Sequence, residues 1–119
     1  MTSHQAVILL VDDDEAKRYL MGTWLRRGGH TVIEAGTGRE ALEKAGSAEL
    51  ILLDVNLPDM LGYDVCRQIK ADPGTAAIPV VQVSATAVQV SDRARGLTQG
   101  ADAYLTDPNE PEELLAVVM

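Results

Sequence analysis

Apolar residues come in five short runs along the chain, separated by longer stretches with helical spacing. The runs cover residues 6–11, 31–35, 50–55, 80–84 and 103–106, each bounded by Gly, Pro, Asp or Ser. The third, through Leu50, Ile51, Leu52 and Leu53, is apolar on both faces, as expected of a mid-sheet strand covered by helices on either side. Between the first two runs, Ala16, Leu20 and Trp24 form a stripe at i, i+4 spacing with Met21 and Leu25 beside it, and Gly28-Gly29 closes that helix. Thr37 and Glu40 fit a capping box opening a second helix over Ala41, Leu42 and Ala45. A third helix is predicted over 63–70, stopped near Asp72-Pro73-Gly74. A fourth is predicted over 91–100, and a fifth from Pro111 at a first-turn position.

Strand and helix thus alternate five times. A parallel strand needs a crossover to bring the chain back to its starting edge, and a helix supplies it with right-handed sense. The predicted class is doubly wound α/β with one five-stranded parallel sheet. Residues 1–119 read as a single domain without repeat or linker, and a domain of this size buries roughly two-thirds of its unfolded surface without needing a staple. The last helix reaches Met119 after about two turns, so the chain is expected to be excised from a longer protein.

Composition narrows the partners. Ten basic against eighteen acidic residues leave a net charge of −8, which argues against direct binding to nucleic acid, where Lys and Arg dominate the contact. No apolar run approaches the roughly 20 residues of a membrane span, and the opening MTSHQ lacks the features of a signal peptide. The lone Cys66 cannot form an internal disulfide and suits a reducing, cytoplasmic setting. With no Phe and one Trp, the core is expected to be aliphatic.

The candidate chemistry lies where the acidic residues fall. Asp12, Asp13 and Asp14 follow the first strand directly, and Asp54 ends the third. In open α/β sheets ligands bind outside the carboxyl ends of the strands where strand order reverses, which in the flavodoxin-like order 2-1-3-4-5 lies between strands one and three. Asp12, Asp13 and Asp54 are therefore expected to converge. Carboxylates roughly 4–6 Å apart repel one another unless a cation compensates. A hard divalent ion fits: Mg²⁺ (or Mn²⁺) prefers oxygen ligands and is typically held by one or two carboxylates together with phosphate oxygens. The cluster reads as a metal site and, with Asp54 as nucleophile, a phosphoryl-transfer site.

Four segments, LLVDDDEAKR, LLDVNLPDMLGYDVCRQIK, IPVVQVSA and GADAYLTDP, resemble in order the signatures of response-regulator receiver domains of two-component signalling, the CheY-like superfamily. The likeness spans nearly the whole chain, and four ordered matches in the right structural context are specific where one would be weak. The resemblance implies that Asp54 accepts a phosphoryl group from a phosphohistidine on a sensor histidine kinase or phosphotransfer protein. It implies that Asp13 ligates Mg²⁺ directly, Asp12 directly or through water, and Asn56 through its backbone carbonyl. It further implies that Ser84 bonds the phosphoryl group and Tyr104 is the switching ring. Output would leave through the fourth helix and fifth strand, a face through which such domains also form homodimers. The domain would be a phosphoacceptor rather than a turnover enzyme, and part of a regulator or a hybrid histidine kinase.

One position departs from the pattern. Receivers usually carry a lysine before the proline of the segment here reading TDP, and this chain has Asp107. The local charge shifts by two units in the unfavourable direction, and a single charge at 4 Å is worth about 4 kcal/mol at an effective dielectric near 20. No neighbouring lysine is expected to substitute, because Lys17 and Lys44 belong to the first two helices and Lys70 ends the third. Asp107 thus favours an alternative, a pseudo-receiver that binds proteins without being phosphorylated, whereas the carboxylate cluster favours the phosphoacceptor.

Plainer roles stand beside these. Asp12 to Asp14 could simply cap a helix, as Asp14 and Glu15 are expected to do; Asp54 could end a strand in a turn; and Ser84 could bond only backbone. Tyr104 by itself is a half-buried strand aromatic. Cys66 and Trp24 read as packing residues, Arg93 and Arg95 as a solvated helical face, and neither His4 nor His30 is given a role. A flavodoxin-like cofactor carrier would want a Ser/Thr/Gly loop after the first strand where this chain has three carboxylates. A hydrolase working through an aspartyl phosphate would want a second acid where Asn56 stands.

Overall fold

A computed structural model of the chain describes residues 5–84, 101–106 and 110–118. Five parallel strands, β1 (Val7–Val11), β2 (Thr31–Ala35), β3 (Leu50–Asp54), β4 (Val80–Ser84) and β5 (Ala103–Thr106), form one sheet in the order β2-β1-β3-β4-β5. The fold is doubly wound α/β with strand order 2-1-3-4-5, as the alternation predicted, and β3 is its middle strand. The helices are α1 (Glu15–Arg27), α2 (Gly38–Lys44), α3 (Gly62–Ala71) and a final α4 (Pro111–Val118), which opens on its proline. The helix predicted over 91–100, with Arg93 and Arg95, lies outside the described residues, as do His4 and residues 107–109.

Two apolar layers flank the sheet. Leu9, Val11, Ile51 and Leu53 pack against Val65, Cys66 and Ile69 of α3 and Ala41 of α2. Ile8, Leu10, Leu52, Val81 and Val83 pack against Met21 and Leu25 of α1 and Leu114 and Val118 of α4. Alternate residues of β3 thus serve opposite layers, and Ile51, Leu52 and Leu53 are fully buried. Each such side chain contributes roughly 1.5–3 kcal/mol by leaving water. Cys66 is a packing residue of the first layer, and Trp24 packs half-buried against the second.

Helix ends follow the sequence with one variation. The His30 amide donates to Leu25 O (3.1 Å) and the Gly29 amide to Arg26 O (3.0 Å), a Schellman closure of α1 in which Gly29 adopts φ 94°, open to glycine at no steric cost. Thr37 caps α2 by accepting the Glu40 amide at 3.1 Å, but the Glu40 carboxylate reaches back to the Gly36 amide, one residue before the N-cap. Asp59 completes that end, its two carboxylate oxygens accepting the Gly38 and Arg39 amides at 2.8 and 3.0 Å.

The buried face of α1 differs from the apolar stripe predicted for it. Met21, Gly22 and Leu25 face inward, while Ala16 is exposed and Leu20 is 48% exposed. Continued one turn back, the inward row begins at Arg18, whose guanidinium donates to Asp12 O (2.6 Å) and Glu34 Oε1 (3.0 Å). A charged residue heads the packed face because it ties α1 to the ends of β1 and β2, which a scan for apolar periodicity cannot see. His30 also has a structural role: it is buried, and its Nδ1 accepts the Ala6 amide at 3.2 Å at the start of β1.

Candidate functional site

The carboxyl ends of β1 and β3 lie side by side, with Val11 in register with Leu53. The residues following them meet accordingly: Asp12, Asp13 and Asp54 each offer a carboxylate oxygen, all within 4.8 Å of one another. Asp12 and Asp54 are buried and Asp13 is exposed.

Each acid is held differently. The Asp12 amide extends the β1–β2 ladder by donating to Ala35 O at 3.0 Å. Both Asp12 carboxylate oxygens have protein partners: Oδ1 accepts the Asp14 amide at 2.9 Å, and Oδ2 faces Lys17 Nζ at 3.1 Å. Asp14 caps α1 by accepting the Lys17 amide at 3.1 Å. Across the sheet end, Asp54 Oδ1 accepts the Asn56 amide at 3.2 Å. Burial pushes the Asp54 carboxyl up from an ordinary 3.8 to about 6; the Asn56 amide and Lys17 pull it down, while Asp12 and Asp13 push it further up. Among the described residues the rim thus holds more negative charge than it neutralises. An all-oxygen, clustered donor set of this kind fits a hard divalent cation.

Glycine lets the chain turn closely beneath Asp54. After β3, Asn56 bridges to Leu61, and the Gly62 amide that starts α3 donates to Val55 O at 2.7 Å. A Cβ on Gly62 would overlap the backbone carbonyl of Asp54. The same corner receives Gln82 of β4, fully buried, whose Nε2 donates to Gly62 O at 3.2 Å.

Ser84 ends β4, one residue beyond Val83, the register partner of Asp54, so it stands at the same rim. Tyr104, opposite Gln82 on β5, is half-buried with its ring 6.4 Å from that of Tyr63 on α3, the planes at 50°. Asp107 lies outside the described residues. Lys44 is engaged away from the site, on Glu34 O (2.7 Å) and Glu40 (3.3 Å). Lys70 sits at the opposite end of the sheet.

Sequence reasoning missed Lys17, whose membership of α1 was expected to keep it away. Cα–Cβ bonds in a helix tilt toward its N-terminus, so a first-turn lysine after β1 curls back over the β1–α1 loop; that signal could have found it. Tyr63, Arg18 and Gln82 were missed as well, because their partners are distant in sequence.

Comparison with known proteins accords with this geometry. The family model described as response regulator receiver domain matches residues 8–119. Transcriptional regulatory protein GltR of Pseudomonas aeruginosa is 41% identical over 119 residues, covering 98% of this chain and 48% of its own. The chain spans about half the length of the first such curated relatives (46–48%). Among solved structures, chemotaxis protein CheY4 of Vibrio cholerae superposes with a TM-score of 0.89 at 31% identity, with 97% of each chain covered. The receiver domain of sensor histidine kinase PA1611 from Pseudomonas aeruginosa gives 0.86 at 30% identity, covering 97% of this chain and 95% of that one; its structure is described with a magnesium ion coordinated in the active-site cleft.

Proposed function

Because this chain belongs to the response regulator receiver domain family of two-component signalling, we propose that it receives a phosphoryl group on Asp54 from a phosphohistidine of a sensor histidine kinase or phosphotransfer protein. The supporting observation is the buried Asp54 carboxylate at the end of the middle strand, within 4.8 Å of Asp12 and Asp13. In the transfer an Asp54 carboxylate oxygen forms a bond to phosphorus as the bond from phosphorus to the donor imidazole nitrogen breaks. The electron pair returns to that nitrogen, which takes up a proton.

Asp13, the exposed carboxylate, would hold Mg²⁺ directly together with Asp54 and the Asn56 backbone carbonyl. Asp12, with both oxygens already bonded, suits contact through water. When bound, the cation supplies neutralising charge to the phosphoryl oxygens; Mn²⁺, of similar chemistry, would substitute. Ser84 at the rim would hydrogen-bond the phosphoryl group, and Tyr104, stacked at an angle on Tyr63, would relay its presence. Output would pass through the segment before β5 and β5 itself, where a second copy could also dock. Phosphoacceptor rather than turnover enzyme is the role, and the half-length match to the curated relatives fits one domain of a longer protein. The cytoplasm, where ATP-dependent kinases work, is the compartment this reading requires.

Asp107 favours the second reading, an interaction module that is never phosphorylated. Incubation with Mg²⁺ and a small phosphodonor separates the two. The first reading predicts a mass gain of one phosphoryl group that maps to Asp54 and disappears in Asp54→Asn; an unchanged mass over hours would favour the second.

A further inference from the structure

We propose that Lys17, on the first turn of α1, supplies the protein cation that binds a phosphoryl oxygen at Asp54, the duty for which this chain has no lysine at position 107. The inference rests on the reading of Asp54 as phosphoacceptor.

Two adjacent basic residues of α1 reach the site, and they are held in different ways. Arg18 is pinned: its guanidinium donates to the Asp12 carbonyl at 2.6 Å and to Glu34 across β2 at 3.0 Å, so it acts as a fixed brace. Lys17 sits with its Nζ 3.1 Å from Asp12 Oδ2, and its side chain keeps 21% of its exposure. An ammonium on four methylenes with three rotatable donors can turn between neighbouring acceptors where a forked guanidinium cannot. Among the described residues, the other two lysines are engaged elsewhere: Lys44 on β2 and α2, Lys70 at the far end of the sheet.

Charge accounting says why the ammonium is needed. Three carboxylates stand within 4.8 Å, and phosphorylation replaces the single charge of Asp54 with close to two on the phosphoryl oxygens. A single divalent ion leaves this sum negative. Lys17 already acts on Asp54 through space, pulling its carboxyl down against burial and against Asp12 and Asp13. On phosphorylation the attacking Asp54 oxygen becomes the bridging oxygen of an acyl phosphate, and the negative charge lies on the three phosphoryl oxygens. The Lys17 ammonium turns to one of these without transferring a proton, and Asp12 is released toward the metal side.

The test uses two titrations that should move in opposite directions. Mg²⁺ alone, and beryllofluoride at saturating Mg²⁺ as the phosphoryl mimic, are each followed by the fluorescence of Trp24 in the wild type, Lys17→Met, Lys17→Gln and Lys17→Arg, with melting temperatures checking that each variant folds. Lys17→Met and Lys17→Gln should bind Mg²⁺ as tightly as the wild type or more so, because a competing cation is gone. They should bind beryllofluoride about tenfold or more weakly, the usual cost of one charge-assisted hydrogen bond. Lys17→Arg, which keeps the charge but not the freedom to turn between acceptors, should restore only part of that loss. Undiminished beryllofluoride affinity in both neutral variants would reduce Lys17 to a resting counter-ion of Asp12 and overturn the inference. A parallel loss of Mg²⁺ would do the same, since the lysine would then only be holding Asp12 in place. A wild type that takes up Mg²⁺ but no beryllofluoride would instead bring down the phosphoacceptor reading itself, and the inference with it.

Discussion

The two ends of the sheet each set a lysine against an acid next to a strand end, with opposite results. At the amino end, Lys70 Nζ donates to Asp102 Oδ2 (2.9 Å), Ile78 O (2.7 Å) and Ala76 O (3.2 Å), and the same Asp102 oxygen accepts the Val80 amide at 2.8 Å. Burial works to raise the Asp102 carboxyl, but the Lys70 and Val80 hydrogen bonds outweigh it and hold the group below its ordinary range. At the carboxyl end, Lys17 pairs with Asp12 and acts through space on Asp54, whose carboxyl is still driven up to about 6 beside Asp12 and Asp13. One end matches donors to acceptors and closes the fold; the other leaves negative charge unmatched, which an external cation or a phosphoryl-binding assembly can use. Residual electrostatic cost, rather than the mere presence of charged residues, distinguishes the candidate rim from the opposite one.

The largest break in that comparison comes from shape and leaves every charge in place. Gly62→Ala forces a methyl into the Asp54 carbonyl. It should cost about 3 kcal/mol or more and abolish Mg²⁺ binding, read by urea unfolding and metal titration. Gly46→Ala, whose methyl would meet nothing within 4 Å, is the control and should leave metal binding unchanged.

Asp54→Asn should sharpen the comparison by stabilising the protein. The folded-state pKa of about 6 lies above the ordinary 3.8, so the folded chain binds this proton more tightly than the unfolded one. The group's contribution is therefore fully favourable below about pH 4 and is lost as pH rises through 6. In the absence of divalent ions the variant should gain about 3 kcal/mol at pH 7, the gain fading to nothing by pH 4, in urea melts at matched ionic strength. Saturating Mg²⁺ should erase the advantage at pH 7, since only the wild type can recover the cost by binding metal. Lys70→Met tests the other end. It leaves a carboxylate and two carbonyls without their shared donor and should cost about 2 kcal/mol, with Mg²⁺ affinity at the far rim unchanged.

How much of this could be read beforehand depended on the range of the interaction. The strands follow from local apolar runs, and β2, β4 and β5 match the predicted bounds, while β1 and β3 are each one residue shorter. The convergence of Asp12, Asp13 and Asp54 was legible because topology fixes which strand ends adjoin. The inward face of α1 was not, since Arg18 heads it through contacts to Asp12 and Glu34 that no periodicity encodes. Lys17 was misplaced because a helix was treated as a location rather than as a base from which a long side chain reaches back over the loop before it. The Lys70–Asp102 pair was invisible for a simpler reason: its members are 32 residues apart, and only the pairing of β4 with β5 brings them together.

The smallest predicted effect is also a direct contrast between the two ends. Asp102 is the acid whose pKa is lowered, so its contribution to stability is present above its unfolded value near 4 and is lost as pH falls through the lower folded value, the reverse of Asp54. Its side chain is 50% exposed, and solvent screens the pair, so Asp102→Asn should cost less than about 1 kcal/mol at pH 7. The neutral amide can still accept from the Val80 amide and the Lys70 ammonium, which limits the loss further. Once the pH lies below the folded value, the variant and the wild type should unfold together. Measured as stability differences from wild type between pH 3 and 8, Asp54→Asn should become increasingly stabilising as pH rises and Asp102→Asn increasingly destabilising. Two profiles of the same sign would mean that the rims do not differ in electrostatic satisfaction and that the excess charge at Asp54 is already neutralised within the chain.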